Sequence, residues 1–157
     1  MNQVYLHAEK EGVQVKVFES DKGKAIQFYK IFSSGKITNS FTLKELFYLN
    51  RIFNHPKSYV IDNFFGGKIE PVKDKTTKII EKGNLAKYNC GKIQLTYFAN
   101  ANEPEAKVKI VTAFHNGSEW KESNYVFEED LPCFYDVLCT FITENPDKLM
   151  FWTDLPL

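Results

Sequence analysis

Arginine is almost missing from this chain. Of the twenty basic residues only Arg51 is an arginine; the rest are lysines. A guanidinium fork is what reads a base edge with two parallel hydrogen bonds, so base reading of that kind is disfavoured and diffuse lysine contact remains available. Net charge is missing too, because twenty acidic residues balance the basic ones. That counts against a strongly basic nucleic-acid binder while leaving room for a local patch. Cysteine is sparse. Cys90, Cys133 and Cys139 show no C-x-x-C spacing, and residues 1–10 carry no signal-peptide core. They read as free thiols in a reducing compartment, with Cys133 and Cys139 expected in a helical core. No apolar run approaches the roughly 20 residues of a membrane span. The expectation is a soluble, intracellular protein without a membrane partner.

Catalytic signatures are missing as well. His7, His55 and His115 are isolated from any Cys or carboxylate at metal-ligand spacing. There is no G-x-S-x-G, no Gly-rich phosphate loop and no H-E-x-x-H. Glu128, Glu129 and Asp130 read as charge complementing a helix dipole rather than as a cation site. The expectation is a protein that is not an enzyme and uses no cofactor or metal.

Aromatic residues are abundant: fourteen Phe, eight Tyr and two Trp in 157 residues. So is internal similarity. Val13-Gln14-Val15-Lys16-Val17-Phe18 returns as Ile93-Gln94-Leu95-Thr96-Tyr97-Phe98, with apolar, Gln, apolar, polar, apolar and Phe in the same order. Alternation of this kind is the signature of a half-buried strand. Each hexamer leads to a second alternating run, 24–32 and 107–114, and each half then reaches a helical pattern, 43–53 and 131–142. Thr42-Leu43-Lys44-Glu45 opens the first helix as a capping box, and Pro56 closes the segment. In the second helix Phe134, Val137, Leu138, Phe141 and Ile142 form one stripe, with Pro132 in the first turn and Asn145-Pro146 as the stop. Runs 2–7, 36–41, 58–65 and 119–127 read as further strands, and 149–152 as an apolar tail docking on the body. Residues 71–82 are Lys-rich and open to three readings: edge strand, short helix or connector. The predicted fold class is α+β: two pseudo-symmetric units of antiparallel strands followed by a helix, packed as one domain. The repeats span about 1–56 and 84–157, joined by a connector at 57–83.

Tandem units of this layout resemble the Whirly, PUR-α and PC4-like single-stranded nucleic-acid-binding folds. Lys22-Gly23-Lys24-Ala25 is similar to the Lys-Gly-Lys-Ala run of plant Whirly proteins. Residues 127–152 are similar in texture to the Whirly C-terminal helix region, and 42–53 to the end of a PUR unit. The resemblance implies two units packed together and single-stranded DNA or RNA as partner.

The residues allow a matching chemistry. If Val13, Val15 and Val17 face the helix, Gln14, Lys16 and Phe18 face away. By the same parity Phe98, Lys107 and Lys109 lie outside, joined by Tyr29, Trp120 and Lys121. Rings that stack on bases beside ammonium groups near phosphates are worth roughly 1–3 kcal/mol per stacked base. Phe18, Tyr29, Phe98 and Trp120 are the expected stacking residues. Lys16, Lys22, Lys24, Lys107, Lys109 and Lys121 are the expected phosphate contacts. Other readings stay open: Phe18 and Phe98 as an interface between sheets or between copies in a homo-oligomer, Lys22 and Lys24 as a solvated turn, and Lys73, Lys75, Lys78 and Lys82 as a mixed-charge solvated segment.

Overall fold

The computed structural model describes residues 3–10, 12–21, 23–54, 77–98 and 107–145, with 3–10, 20 and 51–54 described as backbone only. Lys22, the run at 58–65, Lys73, Lys75 and the tail at 149–152 lie outside the described residues.

Among the described residues the architecture is α+β, with two antiparallel sheets and two α-helices. The first sheet is built from β1 (Gln3–Lys10), β2 (Val13–Ser20), β3 (Gly23–Ile31) and β4 (Ile37–Thr38). The chain then leaves that sheet. β5 (Ser40–Thr42) pairs with β9 (Lys107–His115) of the second sheet and leads into α1 (Leu43–Asn54). The second sheet adds β6 (Lys78–Lys82), β7 (Leu85–Cys90), β8 (Ile93–Phe98) and β10 (Trp120–Ser123). β11 (Tyr125–Phe127) crosses back to pair with β3, and a 3-10 turn, Glu128–Asp130, leads into α2 (Leu131–Glu144). Each unit therefore lends a short strand to the other's sheet.

The pairing scheme repeats residue by residue. The far edge of β3 is shared: β11 pairs with Ala25–Gln27 and β4 with Lys30 and Ile31. The far edge of β9 is shared in the same way, β5 taking Lys107 to Lys109 and β10 taking Thr112 to His115. Val13↔Lys30 in one sheet corresponds to Ile93↔Thr112 in the other. The repeated hexamers occupy β2 and β8, as their alternation predicts.

The inward faces meet in one core. Val13, Val15, Val17, Ile26 and Phe28 of the first sheet and Ile93, Leu95, Val108 and Ile110 of the second are fully buried. Phe28 ties the units together. Its ring lies 6.3 Å from Phe41 on the crossed strand β5 and 5.0 Å from Phe134 on α2. Burying each side chain of this size contributes about 1.5–3 kcal/mol. On the other side, Phe141 of α2 packs between Tyr88 and Tyr97, with both ring centroids at 5.3 Å. Leu46 and Leu49 of α1 fill the equivalent space.

The helix starts differ. Thr42 and Glu45 close the predicted capping box: Glu45 N–H donates to Thr42 Oγ1 at 3.2 Å and Thr42 N–H to Glu45 Oε1 at 2.9 Å. Glu45 also pairs with Lys30, tying α1 to β3. At α2, Pro132 lies in the first turn, where its missing N–H costs nothing.

Several sequence expectations need correction. Of the three readings of 71–82, edge strand holds at Lys78–Lys82, which ends the second sheet, so the connector given as 57–83 does not run through to 83. The run at 119–127 is two strands in two sheets, parted at Asn124, and the run at 36–41 is divided in the same way at Asn39. Cys139 is exposed on α2, while Cys133 is in the core as expected.

Candidate nucleic-acid interface

The strand registers define which side chains share the outward face of the second sheet. One cross-strand row runs Lys82, Leu85, Phe98, Lys107 and Thr42. The next runs Ile80, Lys87, Thr96, Lys109 and Ser40. A third holds Lys78, Asn89, Gln94 and Val111. Farther along β9, Ala113 opposes Glu122 and His115 opposes Trp120. Adjacent strands lie about 4.8 Å apart, so neighbours within a row are in reach of one another.

Charge on this face is one-sided. Among the described residues on it, Lys78, Lys82, Lys87, Lys107 and Lys109 face a single carboxylate, Glu122. A neutral chain thus carries a local basic surface. The face also exposes rings and apolar groups: Phe98 is 47% exposed, Ile80 57% and Trp120 71%. Trp120 meets His115 edge to face at 5.4 Å. Phe98 and Trp120 oppose opposite ends of β9, eight residues apart, which places them about 26 Å apart along the strand.

Lys109 and Lys121 lie close to carboxylates. Lys109 Nζ donates to Glu122 Oε1 at 2.7 Å, and Lys121 Nζ lies 3.7 Å from Glu119. Lys121 opposes Phe114, so its parity places it on the other side of β10 from Trp120. It therefore does not join the basic rows.

The outward face of the first sheet is different. Tyr29 lies on it by register with Gln14, yet the ring is only 4% exposed. Its hydroxyl donates to Gln14 Oε1 at 2.9 Å, and Lys16 Nζ sits 5.6 Å from the ring centroid. A ring so covered cannot offer a face to a base, which corrects the expectation that Tyr29 stacks. Phe18 is half-buried against Tyr125, ring centroids 5.5 Å apart. Lys24 is half-buried opposite Glu19, and its parity is that of the inward face, away from Phe18. The structure thus brings together Phe98, Lys107 and Lys109, and places Trp120 on the same face at the far end of β9. It keeps Lys16, Phe18 and Tyr29 on a separate, more closely packed face.

Lys82, Lys87, Ile80 and Lys78 complete the second face, and the sequence reading left them in a solvated segment or unassigned. A signal was there. Leu85, Lys87 and Asn89 alternate with Ala86, Tyr88 and Cys90, just after the turn signal Gly83-Asn84. Gly83 adopts φ +61°, a left-handed conformation suited to a tight hairpin turn.

Among the described residues no group of three or more His, Cys, Asp or Glu is placed to hold a metal ion, and no helix is long and apolar enough to cross a membrane. No family model matches the chain, and none of the curated proteins matches it.

Proposed function

We propose that this chain is a non-enzymatic, intracellular binder of single-stranded DNA or RNA, using the outward face of its second sheet. The observation that carries the reading is the row Lys82, Leu85, Phe98 and Lys107, in which a half-exposed ring has Lys107 on the next strand and Lys82 two strands to the other side. Phe98 stacks on a base while Lys82, Lys87 and Lys107 neutralise phosphates. Trp120 supplies a second platform at the far end of β9. Sequence preference over most of the strand is weak, because stacking accepts any base. The recurrence of one pairing scheme in both sheets is in keeping with the two-unit layout that a resemblance to Whirly and PUR proteins would imply.

The test is a fluorescence titration of labelled oligo-dT at two salt concentrations. Binding that weakens with salt, by about 0.7 log units per log unit of salt for each neutralised phosphate, supports the reading. No binding at low salt, or binding indifferent to salt, rules it out.

One observation favours a second reading. Ile80, Phe98 and Trp120 share one exposed face, as they would if it closed against another copy of the chain in a homo-oligomer. Sedimentation distinguishes the two. A wild-type dimer that dissociates in Phe98→Ala, without oligonucleotide affinity, supports the oligomerisation module.

A further inference from the structure

Between the two crossing segments lies an open notch of about 420 Å³. Its walls come from both units. Asn39 and Ser40 belong to the crossing into the second sheet, Tyr125 to the crossing back, and Lys109, Val111 and Glu122 to β9 and β10. The notch adjoins the basic face, because Lys109 belongs to both.

We propose that this notch takes up one guanine base of a bound single strand. The proposal rests on the nucleic-acid reading above and deepens it. Lys109 Nζ and Glu122 Oε1 lie 2.7 Å apart, so a strong donor and a strong acceptor stand side by side on one wall. The Watson–Crick edge of guanine offers the complement: the O6 acceptor beside two adjacent donors, N1–H and the N2 amino group. The ammonium donates to O6 and the carboxylate accepts from N1–H and N2–H. Adenine presents an amino donor where the ammonium needs an acceptor. Cytosine and thymine lack two adjacent donors. A single strand leaves this edge unpaired, which makes it readable. Val111 is buried beneath the notch, and half-buried Tyr125 lies at its wall. The ion pair is partly exposed, so it adds little to folding and is available to share its hydrogen bonds with a ligand.

The experiment compares labelled oligo-dT strands carrying one central guanine, adenine or hypoxanthine, at one salt concentration, with wild type and Glu122→Gln. Hypoxanthine lacks the N2 amino group. The expected result is about tenfold tighter binding of the guanine strand than of the adenine strand, the order of one well-formed bidentate base contact. Hypoxanthine loses most of that gain. Glu122→Gln abolishes the preference, read as the ratio of guanine-strand to adenine-strand affinity within the same variant. Equal affinity for all three strands, or a preference that survives in Glu122→Gln, overturns the guanine site while leaving the oligo-dT interface standing. No binding of any strand by the wild type overturns both.

Discussion

Asn39 and Asn124 hold the same position in the two halves of the chain. Ile110 N–H donates to the Asn39 carbonyl at 3.1 Å, and Phe28 N–H donates to the Asn124 carbonyl at 3.1 Å. Phe28 and Ile110 are themselves equivalent, because β2–β3 and β8–β9 share one register. The residue before each Asn also matches. Thr38 Oγ1 accepts from Ser40 N–H at 3.2 Å, and Ser123 Oγ accepts from Tyr125 N–H at 3.0 Å. These short side-chain turns redirect the chain from one sheet to the other. Phe41 and Val126 follow, each fully buried.

The side chains of the two Asn residues are not equally engaged. Asn39 Nδ2 donates to the Phe28 carbonyl at 3.1 Å, whereas Asn124 Oδ1 accepts from Gln27 Nε2 only at 3.4 Å. Asn39→Ala is therefore expected to lower stability by about 1 kcal/mol, and Asn124→Ala by less. Urea denaturation of both variants checks the order. A larger loss in Asn124→Ala contradicts this account of the crossings.

The capping box gives a second ordering. Thr42→Ala removes one cap and is expected to cost about 1 kcal/mol. Glu45→Ala removes the reciprocal bond and also strands Lys30 beside the core. It should cost more than Thr42→Ala in the same denaturation assay. Equal losses would mean that the Lys30 contact contributes nothing.

Much of this was legible in the sequence. The hexamers named β2 and β8 and the inward parity of both, because each strand has one buried face and one polar face. Thr42 and Glu45 announced α1, and the apolar stripe from Phe134 to Phe141 announced α2. What hid was short or two-sided. β6 is exposed on both faces, so Lys78–Lys82 has no burial pattern to reveal it. The crossings involve strands of only two to four residues, below the length at which alternation is readable. Their signal was local chemistry instead: Thr38-Asn39-Ser40-Phe41 and Ser123-Asn124-Tyr125-Val126 both read hydroxyl, Asn, any residue, apolar. Tyr29 misled because parity places it outside, while Gln14 and Lys16 close over it.

Alkaline pH probes the outer side of α2. Burial pushes the Tyr135 hydroxyl above its ordinary 10.0, with the Cys139 thiolate adding to the rise. Partial burial, and then the Asp136 carboxylate, push the Cys139 thiol above its ordinary 9.0, although the residue is exposed overall. Asp136 is held there by Thr77, whose N–H and hydroxyl both donate to Oδ2. Both shifted groups are neutral when protonated, so the folded chain keeps their protons to higher pH than the unfolded chain. Their contribution to stability is full below about pH 9 and is lost as pH rises through the raised values. The urea midpoint is expected to fall between pH 7 and pH 10, and to fall less in Cys139→Ala. A midpoint that rises over that interval contradicts the assignment.

The proposed function places single strands on the second sheet's outward face and not on the first sheet. The most direct measurement is the slope of log affinity against log salt for oligo-dT, in the wild type, in Lys87→Gln/Lys107→Gln and in Lys16→Gln/Lys24→Gln. The account predicts a slope shallower by about 1.4 in the first double variant, two phosphates at 0.7 each, and little change in the second. A slope that moves only in the Lys16/Lys24 variant, or in neither, would contradict it.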